Sequence, residues 1–141
     1  MSYQAPVKSM HYLLKYGVDI DRVLACSDHA DTNHELIGDI LEGAGSFAAD
    51  ILAPTNWAGD QNPARLENDQ VYSSPGFKEA YASYVEAGWQ GIAMPLAAGG
   101  MGLPQSVAVA TNETFYAANM AFGLCPMLTA SAMKAIEAHA S

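Results

Sequence analysis

The spacing of apolar side chains along residues 32–53 predicts one long amphipathic helix. Apolar residues recur three and four positions apart, which places them on one helix face, and acidic residues occupy the opposite face. The apolar face consists of Leu36, Ile37, Ile40, Leu41, Ala44, Phe47, Ala48, Ile51 and Leu52. Thr32 and Glu35 have the spacing of a capping box, which predicts the helix start, and Pro54 predicts its end.

The same spacing of apolar residues, three and four positions apart, recurs elsewhere in the chain. The segments that carry it are residues 9–16, 21–26, 75–87, 104–120 and 124–140, of which the first two are short. Asn68 and Asp69 separate two short segments, an arrangement typical of a small hairpin. The pattern therefore predicts an all-α fold, an up-and-down bundle of four to five helices with a small hairpin or irregular insert.

The last two predicted helices carry few charges, only Glu113, Lys134 and Glu137. Because charged side chains normally cover exposed helix faces, we expect both helices to be largely enclosed. Their charge-free runs are long enough to suggest a membrane span, but Gly, Pro, Asn and Thr interrupt them, so a buried helix pair is the better interpretation. Methionines concentrated in this half could line a pocket, although adaptable core packing is the favoured explanation.

Length and charge exclude several classes of protein. The 141 residues suffice for one domain, and 15 acidic against six scattered basic residues give a net charge of −9. Nucleic-acid binding needs clustered Lys and Arg, so it is not expected. Cys26 and Cys125 stand apart without metal-ligand spacing, and no signal peptide is recognisable, so we expect free thiols in a reducing cytoplasm.

A glycine-dense stretch without charges, residues 88–104, separates two of the predicted helices. It reads Gly-Trp-Gln-Gly-Ile-Ala-Met-Pro-Leu-Ala-Ala-Gly-Gly-Met-Gly-Leu-Pro. Glycine permits positive φ and close backbone approach, and proline fixes φ. The stretch therefore specifies one definite path across a packed surface.

With Pro75-Gly76-Phe77 before it and Phe115-Tyr116 after it, this loop resembles the N-terminal helical domain of the flavin-dependent acyl-CoA dehydrogenases. The opening residues 3–14 are similar to the leader of the subgroup that resembles 3-methylmercaptopropionyl-CoA dehydrogenases. Leu96-Ala97 depart from the pattern, since many members carry acidic residues there. The resemblance divides the chain into a leader, residues 1–31, and an N-terminal helical domain, residues 32–141.

The resemblance implies a role in α,β-dehydrogenation of an acyl-CoA thioester with FAD as cofactor. In such enzymes the flavin-binding β-domain and the catalytic glutamate follow this region, so we expect no catalytic base in this chain and no flavin binding or activity from it alone. It would supply scaffold and one wall of the substrate pocket, lined by Asn119, Phe122 and Met127. The complete enzyme would be a homo-oligomer without a membrane span.

Other patterns carry weaker functional signals. Gly43-Ala44-Gly45-Ser46-Phe47-Ala48 matches a dinucleotide-binding pattern, but it falls in mid-helix, where small residues more simply permit close packing. Gly99-Gly100-Met101-Gly102 lacks the lysine of a P-loop and indicates a turn. The cluster from Asp28 to Glu35 contains possible metal ligands, but acids at a helix start are the favoured explanation. The competing function is a non-catalytic helical subunit that docks a partner through its apolar helices.

Overall fold

The computed structural model describes residues 3–26, 29 and 31–139, and helices dominate it. The elements are, in order, α1 (Val7–Tyr16), α2 (Ile20–Leu24), α3 (His34–Phe47), a π-helical turn (Ala48–Leu52), α4 (Ala53–Gln61), β1 (Arg65–Glu67), β2 (Gln70–Tyr72), α5 (Phe77–Glu86), α6 (Gln105–Ala118) and α7 (Met120–His139). The predicted all-α bundle with a small insert is confirmed.

The predicted end of the first long helix at Pro54 is wrong. The helix runs on through the π-helical turn directly into α4, which ends at Gln61. A proline lacks the N–H that an α-helix interior requires, but it is tolerated in the first turn of a helical segment. Pro54 lies in the first turn of α4, and the wider π turn before it absorbs the change in hydrogen-bond register.

The start of α3 also differs from the capping box that the sequence suggested. The cap is Asn33, whose side-chain Oδ1 accepts a hydrogen bond from the Leu36 N–H at 2.9 Å. Asparagine is among the best N-cap residues, so Asn33 replaces Thr32 in this role.

The predicted hairpin is confirmed. β1 and β2 pair antiparallel, with Leu66 opposite Val71, and the two linking residues, Asn68 and Asp69, both have positive φ, 50° and 60°. Such a pair of positive φ angles is what a two-residue hairpin turn with the correct twist requires, and Asn and Asp tolerate it better than most residues. All six strand residues are exposed, so the hairpin lies outside the core.

The core lies between α3, α5, α6 and the start of α7, and the leader contributes to it. Met10, Leu14 and Ile20 from the first two helices are at most 5% exposed and belong to the same apolar cluster as Leu41 and Phe115. The buried Thr114 hydroxyl on α6 donates to Met10 Sδ at 3.4 Å. The leader therefore packs as an integral layer of the described fold.

The two charge-poor helices meet at Asn119, whose extended backbone (φ −156°) breaks the helical path between α6 and α7. The expected enclosure holds for α6, half of whose residues are buried, but it is wrong for α7. Beyond Pro126, α7 is mostly exposed, with Leu128 at 66% and Ile136 at 64%. Low charge thus marks an apolar surface in α7. No helix among the described residues is both long enough and apolar enough to cross a membrane.

Candidate functional site

The glycine-rich loop folds back on itself between α5 and α6. Three backbone hydrogen bonds join its two arms: Met101 N–H to Gly91 O at 2.9 Å, Gly102 N–H to Met94 O at 2.9 Å and Leu103 N–H to Ile92 O at 3.0 Å. Two short 3₁₀ turns, Trp89–Gly91 and Leu96–Ala98, shape the arms. The loop is therefore a fixed structure with its own ladder of hydrogen bonds.

The two arms of the loop lie so close together that only glycine fits at position 100. A Cβ atom on Gly100 would lie 2.2 Å from the carbonyl oxygen of Met94 and 2.5 Å from its carbonyl carbon. Backbone atoms cannot move aside as a flexible side chain can, so any side chain at position 100 forces the arms apart.

Trp89 anchors the loop in an aromatic cluster at the centre of the molecule. Its ring centroid lies 5.3 Å from that of Phe115 on α6 and 6.2 Å from that of Phe47 on α3. Tyr84 on α5 continues the cluster, 5.8 Å from Phe115 and 5.8 Å from Phe122 on α7. Several of these pairs have the edge-to-face geometry that aromatic rings favour. The cluster fixes the loop against four helices.

Beside this cluster, the first arm of the loop, α6 and α7 border a groove with a volume of about 160 Å³, and Trp89 and Tyr84 of the cluster form part of its wall. We call it the loop groove. Its apolar walls come from Trp89, Ile92, Ala93, Met94, Ala108, Pro126, Met127 and Ala130, and its polar or amphipathic walls from Tyr84, Gln90, Gln105, Asn112, Tyr116, Ser131 and Lys134. An apolar pocket with a few convergent polar groups is the usual form of a small-molecule site.

Two polar atoms in the wall of the loop groove have no hydrogen-bond partner among the described residues. They are the indole Nε1 of Trp89 and the amide Oε1 of Gln90, and both are buried. Buried polar groups are nearly always paired, because an unpaired one costs about 1–3 kcal/mol. Two residues of the groove wall, Trp89 and Gln90, thus each carry one buried polar atom without a partner.

The titratable groups of the loop groove are two phenols and one ammonium. Burial raises the pKa of Tyr84 to about 12, with the nearby Tyr116 and Tyr81 phenols contributing. Burial also raises the pKa of Tyr116. Both phenols therefore stay neutral near pH 7. The Lys134 ammonium donates to Gln105 Oε1, and no carboxylate of the described chain lies within 4.0 Å of it.

The three residues predicted to line a substrate pocket occupy different environments. Asn119 is 1% exposed; its Nδ2 donates to Thr55 Oγ1 at 2.9 Å, and its Oδ1 accepts from the Phe122 N–H at 3.0 Å. Phe122 is 4% exposed and packs in the aromatic cluster. Met127 is 40% exposed and borders the loop groove. Of the three, the structure places only Met127 where a ligand can reach it directly, and their substrate role stays a prediction.

Sequence reasoning did not select Trp89, Gln90 or Lys134 as site residues. Trp89 and Gln90 lie in the loop, and Lys134 lies more than forty residues later on α7. A signal was present, because Lys134 is the single basic charge of the two charge-poor helices and Gln90 is the one polar side chain at the start of the loop. Their convergence depends on the way α7 packs, which periodicity does not reveal.

The other candidate motifs take structural roles in the described residues. The segment Gly43 to Ala48 lies inside the α3 and π-helical run, as its mid-helix position indicated, and Ala5 Cβ lies 3.1 Å from the Cβ position of Gly45. Small residues there let the leader approach α3. Gly99 ends the second 3₁₀ turn with a φ of 78°.

The acidic and imidazole residues between Asp28 and Glu35 make separate contacts and do not form one group. Asp28 lies outside the described residues. His29 Nδ1 contacts Gly102 O at 3.1 Å, and His34 Nε2 pairs with Asp21 Oδ1 at 2.5 Å on the surface. Within the described part of the chain no three His, Cys, Asp or Glu side chains are grouped as a metal site would require.

The described residues contain no strand-to-helix turn of the dinucleotide-binding kind. A dinucleotide pyrophosphate is held by free N–H groups where a strand turns into a helix. The one matching sequence, Gly43 to Ala48, lies inside a helical run, and the two described strands form only the exposed hairpin.

Comparison with known proteins finds two relatives among curated sequences. A 3-methylmercaptopropionyl-CoA dehydrogenase from Ruegeria pomeroyi is 37% identical over 137 residues, which are 97% of this chain and 23% of that protein. The broad-specificity linear acyl-CoA dehydrogenase FadE5 from Mycobacterium tuberculosis is 26% identical over 121 residues, 84% of this chain and 20% of that protein. No protein-family model matches. The chain thus spans between a fifth and a quarter of the length of these relatives, and the resemblance expected from its sequence is confirmed.

Proposed function

Because this chain is related to acyl-CoA dehydrogenases over nearly all of its length, we propose that it serves as the N-terminal part of a flavin-dependent acyl-CoA dehydrogenase. The relation covers 97% of the chain at 37% identity, and this observation carries the proposal. Its role would be scaffold and one wall of the pocket for an acyl-CoA substrate. FAD and the catalytic base would come from residues that this chain does not contain, and the complete enzyme would be a cytoplasmic homo-oligomer of fatty-acid metabolism.

The exposed apolar face of α7 supports the proposal of a wall. Met120, Leu124 and Leu128 are 56%, 49% and 66% exposed, and Met127 beside them is 40% exposed. Asn119 and Phe122 would support this wall from within, Asn119 by capping the start of α7 and Phe122 by fixing it to the aromatic cluster. Methionine adapts its shape to flexible apolar chains, which suits Met127 to an acyl group.

The proposal is tested by a chimera in which this chain replaces the matched segment of the Ruegeria pomeroyi protein. We expect the chimera to bind flavin and to turn over the thioester for which that protein is named. A chimera that folds and binds flavin yet is inactive, with activity restored by the original segment, would contradict the proposal. In an active chimera, Met127→Trp should raise KM for longer acyl-CoA thioesters, whereas the exposed control Ile136→Trp should not.

The competing proposal is a non-catalytic subunit that docks a partner protein through its apolar helices. The exposed face of α7 favours it too, because contiguous apolar surface commonly marks an interaction site. The two proposals differ in one measurable respect. A docking subunit would not restore dehydrogenase activity in the chimera, whereas a true N-terminal part would.

A further inference from the structure

We propose that the β1–β2 hairpin joins two copies of this chain by pairing the outer edge of β1 with the same edge of a second copy. The pairing is antiparallel about a two-fold axis at Leu66, so the two hairpins form one continuous sheet. The hairpin contributes no residue to the loop groove or to the exposed α7 face. The inference concerns the chain by itself and does not depend on the dehydrogenase role.

Both outer edges of the hairpin are free to pair. Its sheet consists of β1 and β2 alone, and no backbone group of residues 65–72 hydrogen-bonds to the backbone of another segment of the described chain. In a hairpin with a two-residue turn, the pair next to the turn exchanges both ladder hydrogen bonds, and the next pair does not. That next pair is Leu66 and Val71. The N–H and C=O groups of Leu66 therefore point outward from β1, and those of Val71 point outward from β2.

Nothing covers or interrupts the free edge of β1. Proteins often block such an edge with a proline, a bulge or a covering segment. Residues 65–72 contain no proline, their register has no bulge, and all six strand residues are exposed. A two-stranded hairpin is marginally stable in water, and further strands strengthen it. The strands are short, which limits the strength of the pairing, so the expected dimer is weak and depends on concentration.

The order of charges along β1 selects a second copy as the partner. The strand reads Arg65-Leu66-Glu67, so antiparallel pairing about Leu66 places each Arg65 opposite the Glu67 of the other copy. Within one copy, Arg65 Nε already lies 2.6 Å from Glu67 Oε1. The four charges therefore alternate in sign around the axis, an arrangement that attracts, whereas parallel pairing would place like charges opposite each other. The other edge strand, β2, carries no charge and has no such preference.

The pairing also joins the apolar side chains of the two hairpins. Leu66 and Val71 are opposite each other on one face of the hairpin and are 69% and 77% exposed. In the joined sheet the two Leu66 side chains meet at the axis, and each has a Val71 on its other side. Cross-strand contacts of this kind stabilise a sheet. The same pairing thus reduces the exposure of Leu66 and satisfies its outward N–H and C=O groups.

The first test is the mass of the isolated chain in solution, measured by analytical ultracentrifugation. We expect a monomer–dimer equilibrium at protein concentrations up to about 1 mM, because this edge is smaller than a standard interface. Arg65→Glu and Glu67→Arg each place like charges opposite each other, so each should weaken the dimer about tenfold. An equimolar mixture of the two variants should dimerise as the wild type does, since arginine again faces glutamate. Neither variant keeps the internal pair, so only pairing between copies explains this recovery.

Lys78→Glu and Glu79→Arg are the matched controls. They make the same changes of charge at exposed positions on α5 and should leave the dimer unchanged. A chain that stays monomeric at every concentration would overturn the proposal and would leave the β1 edge to a strand of a different protein. The proposal is also wrong if the α5 variants weaken the dimer equally, or if the mixture dimerises no better than its components.

The second test locates the axis by cross-linking even when the dimer is weak. The free thiols are first removed by Cys26→Ser and Cys125→Ser. Leu66→Cys then places two thiols opposite each other with Cα atoms about 5.5 Å apart, within the range of a disulfide, so mild oxidation should give a covalent dimer. Val71→Cys is the control, because two Val71 positions lie three strand spacings apart, about 14 Å. Equal yields from the two variants would overturn the proposal. Both tests measure association and not turnover, so failure here leaves the chimera test unaffected.

Discussion

Gly100 shows how one backbone contact determines the path of the loop. Its Cβ position lies 2.2 Å from Met94 O, so Gly100→Ala must separate the two arms that three backbone hydrogen bonds hold together. We expect this substitution to lower the free energy of unfolding by about 1–3 kcal/mol, the usual cost of overpacking. Chemical denaturation followed by circular dichroism measures the change.

Gly43→Ala is the matched control for Gly100→Ala. The added methyl group would lie 3.7 Å from Trp89 Cη2, an ordinary contact, and position 43 is inside α3. Alanine favours a helix over glycine by about 1 kcal/mol, so Gly43→Ala should stabilise the protein or leave it unchanged. If both variants shift stability in the same direction and by similar amounts, the special role of Gly100 is refuted.

The raised pKa of Tyr84 predicts that the protein loses stability at alkaline pH. Burial raises its pKa to about 12 in the folded protein, above the value near 10 of an unfolded chain. Below pH 10 both states hold the proton and the contribution is fully present. Between about pH 10 and 12 the unfolded state releases the proton first, so stability falls by at most about 1.4 kcal/mol per pH unit for this group.

In Tyr84→Phe the free energy of unfolding should fall less steeply between pH 10 and 12. The difference in slope should correspond to the release of about one proton. Tyr12→Phe is the control, because Tyr12 is 63% exposed on α1. Urea titrations at several pH values measure the slope. Equal slopes in the wild type and Tyr84→Phe would show that the Tyr84 phenol titrates at the same pH in both states.

At the residue scale, the sequence predicted that the loop is constrained but not which atom constrains it. The density of Gly and Pro indicated a fixed loop path, and the close approach at Gly100 agrees with it. The contact with Met94 O depends on how the two arms pair, and pairing between segments of irregular backbone leaves no periodic signal in the sequence.

Asn119 governs the join between two elements, α6 and α7. Its Oδ1 accepts from the Phe122 N–H at the start of α7, and its Nδ2 donates to Thr55 Oγ1 on α4. Asn119→Ala removes the cap and leaves buried polar groups unpaired, so we expect a loss of about 2 kcal/mol or more. Thermal or urea denaturation of the variant measures it.

Asn33→Ala is the matched comparison for Asn119→Ala, because Asn33 also caps a helix through its Oδ1 but lies at the surface. The loss there should be about 1 kcal/mol, the typical value of an N-cap. A loss at Asn119 no larger than the loss at Asn33 would mean that the bond to Thr55 adds nothing. In that case the joint between α6 and α7 depends on packing alone.

At the element scale, the sequence predicted helices well and their ends less well. Pro54 was interpreted as a stop, yet it occupies the first turn of α4 after a π turn. Whether the helix ends at Pro54 or continues depends on packing against α6 and α7. The presence of a proline in the sequence gives no information about that packing. The hairpin was predictable because Asn68 and Asp69 are themselves the residues that its turn requires.

At the scale of the whole molecule, the glycine loop and the leader predicted the family resemblance, and the helical spacing of apolar residues predicted the all-α fold. The loop groove was not predictable, since Trp89 and Lys134 belong to separate elements that only the packing of α7 brings together. The exposure of α7 was missed for a related reason. Low charge indicates that a surface prefers an apolar neighbour, but it does not show whether that neighbour belongs to the same chain.

The isolated chain should bind no FAD and show no acyl-CoA dehydrogenase activity. The described residues offer no strand-to-helix turn for a pyrophosphate, and the resemblance places the catalytic base in a region that this chain does not contain. Purified protein incubated with FAD and passed over a desalting column should retain no flavin absorbance, and dye reduction with acyl-CoA thioesters should stay at background. The active chimera serves as the positive control in both assays. A yellow chain with near stoichiometric flavin would show that these helices form a flavin site by themselves. The proposal that FAD is bound by other parts of the complete enzyme would then be wrong.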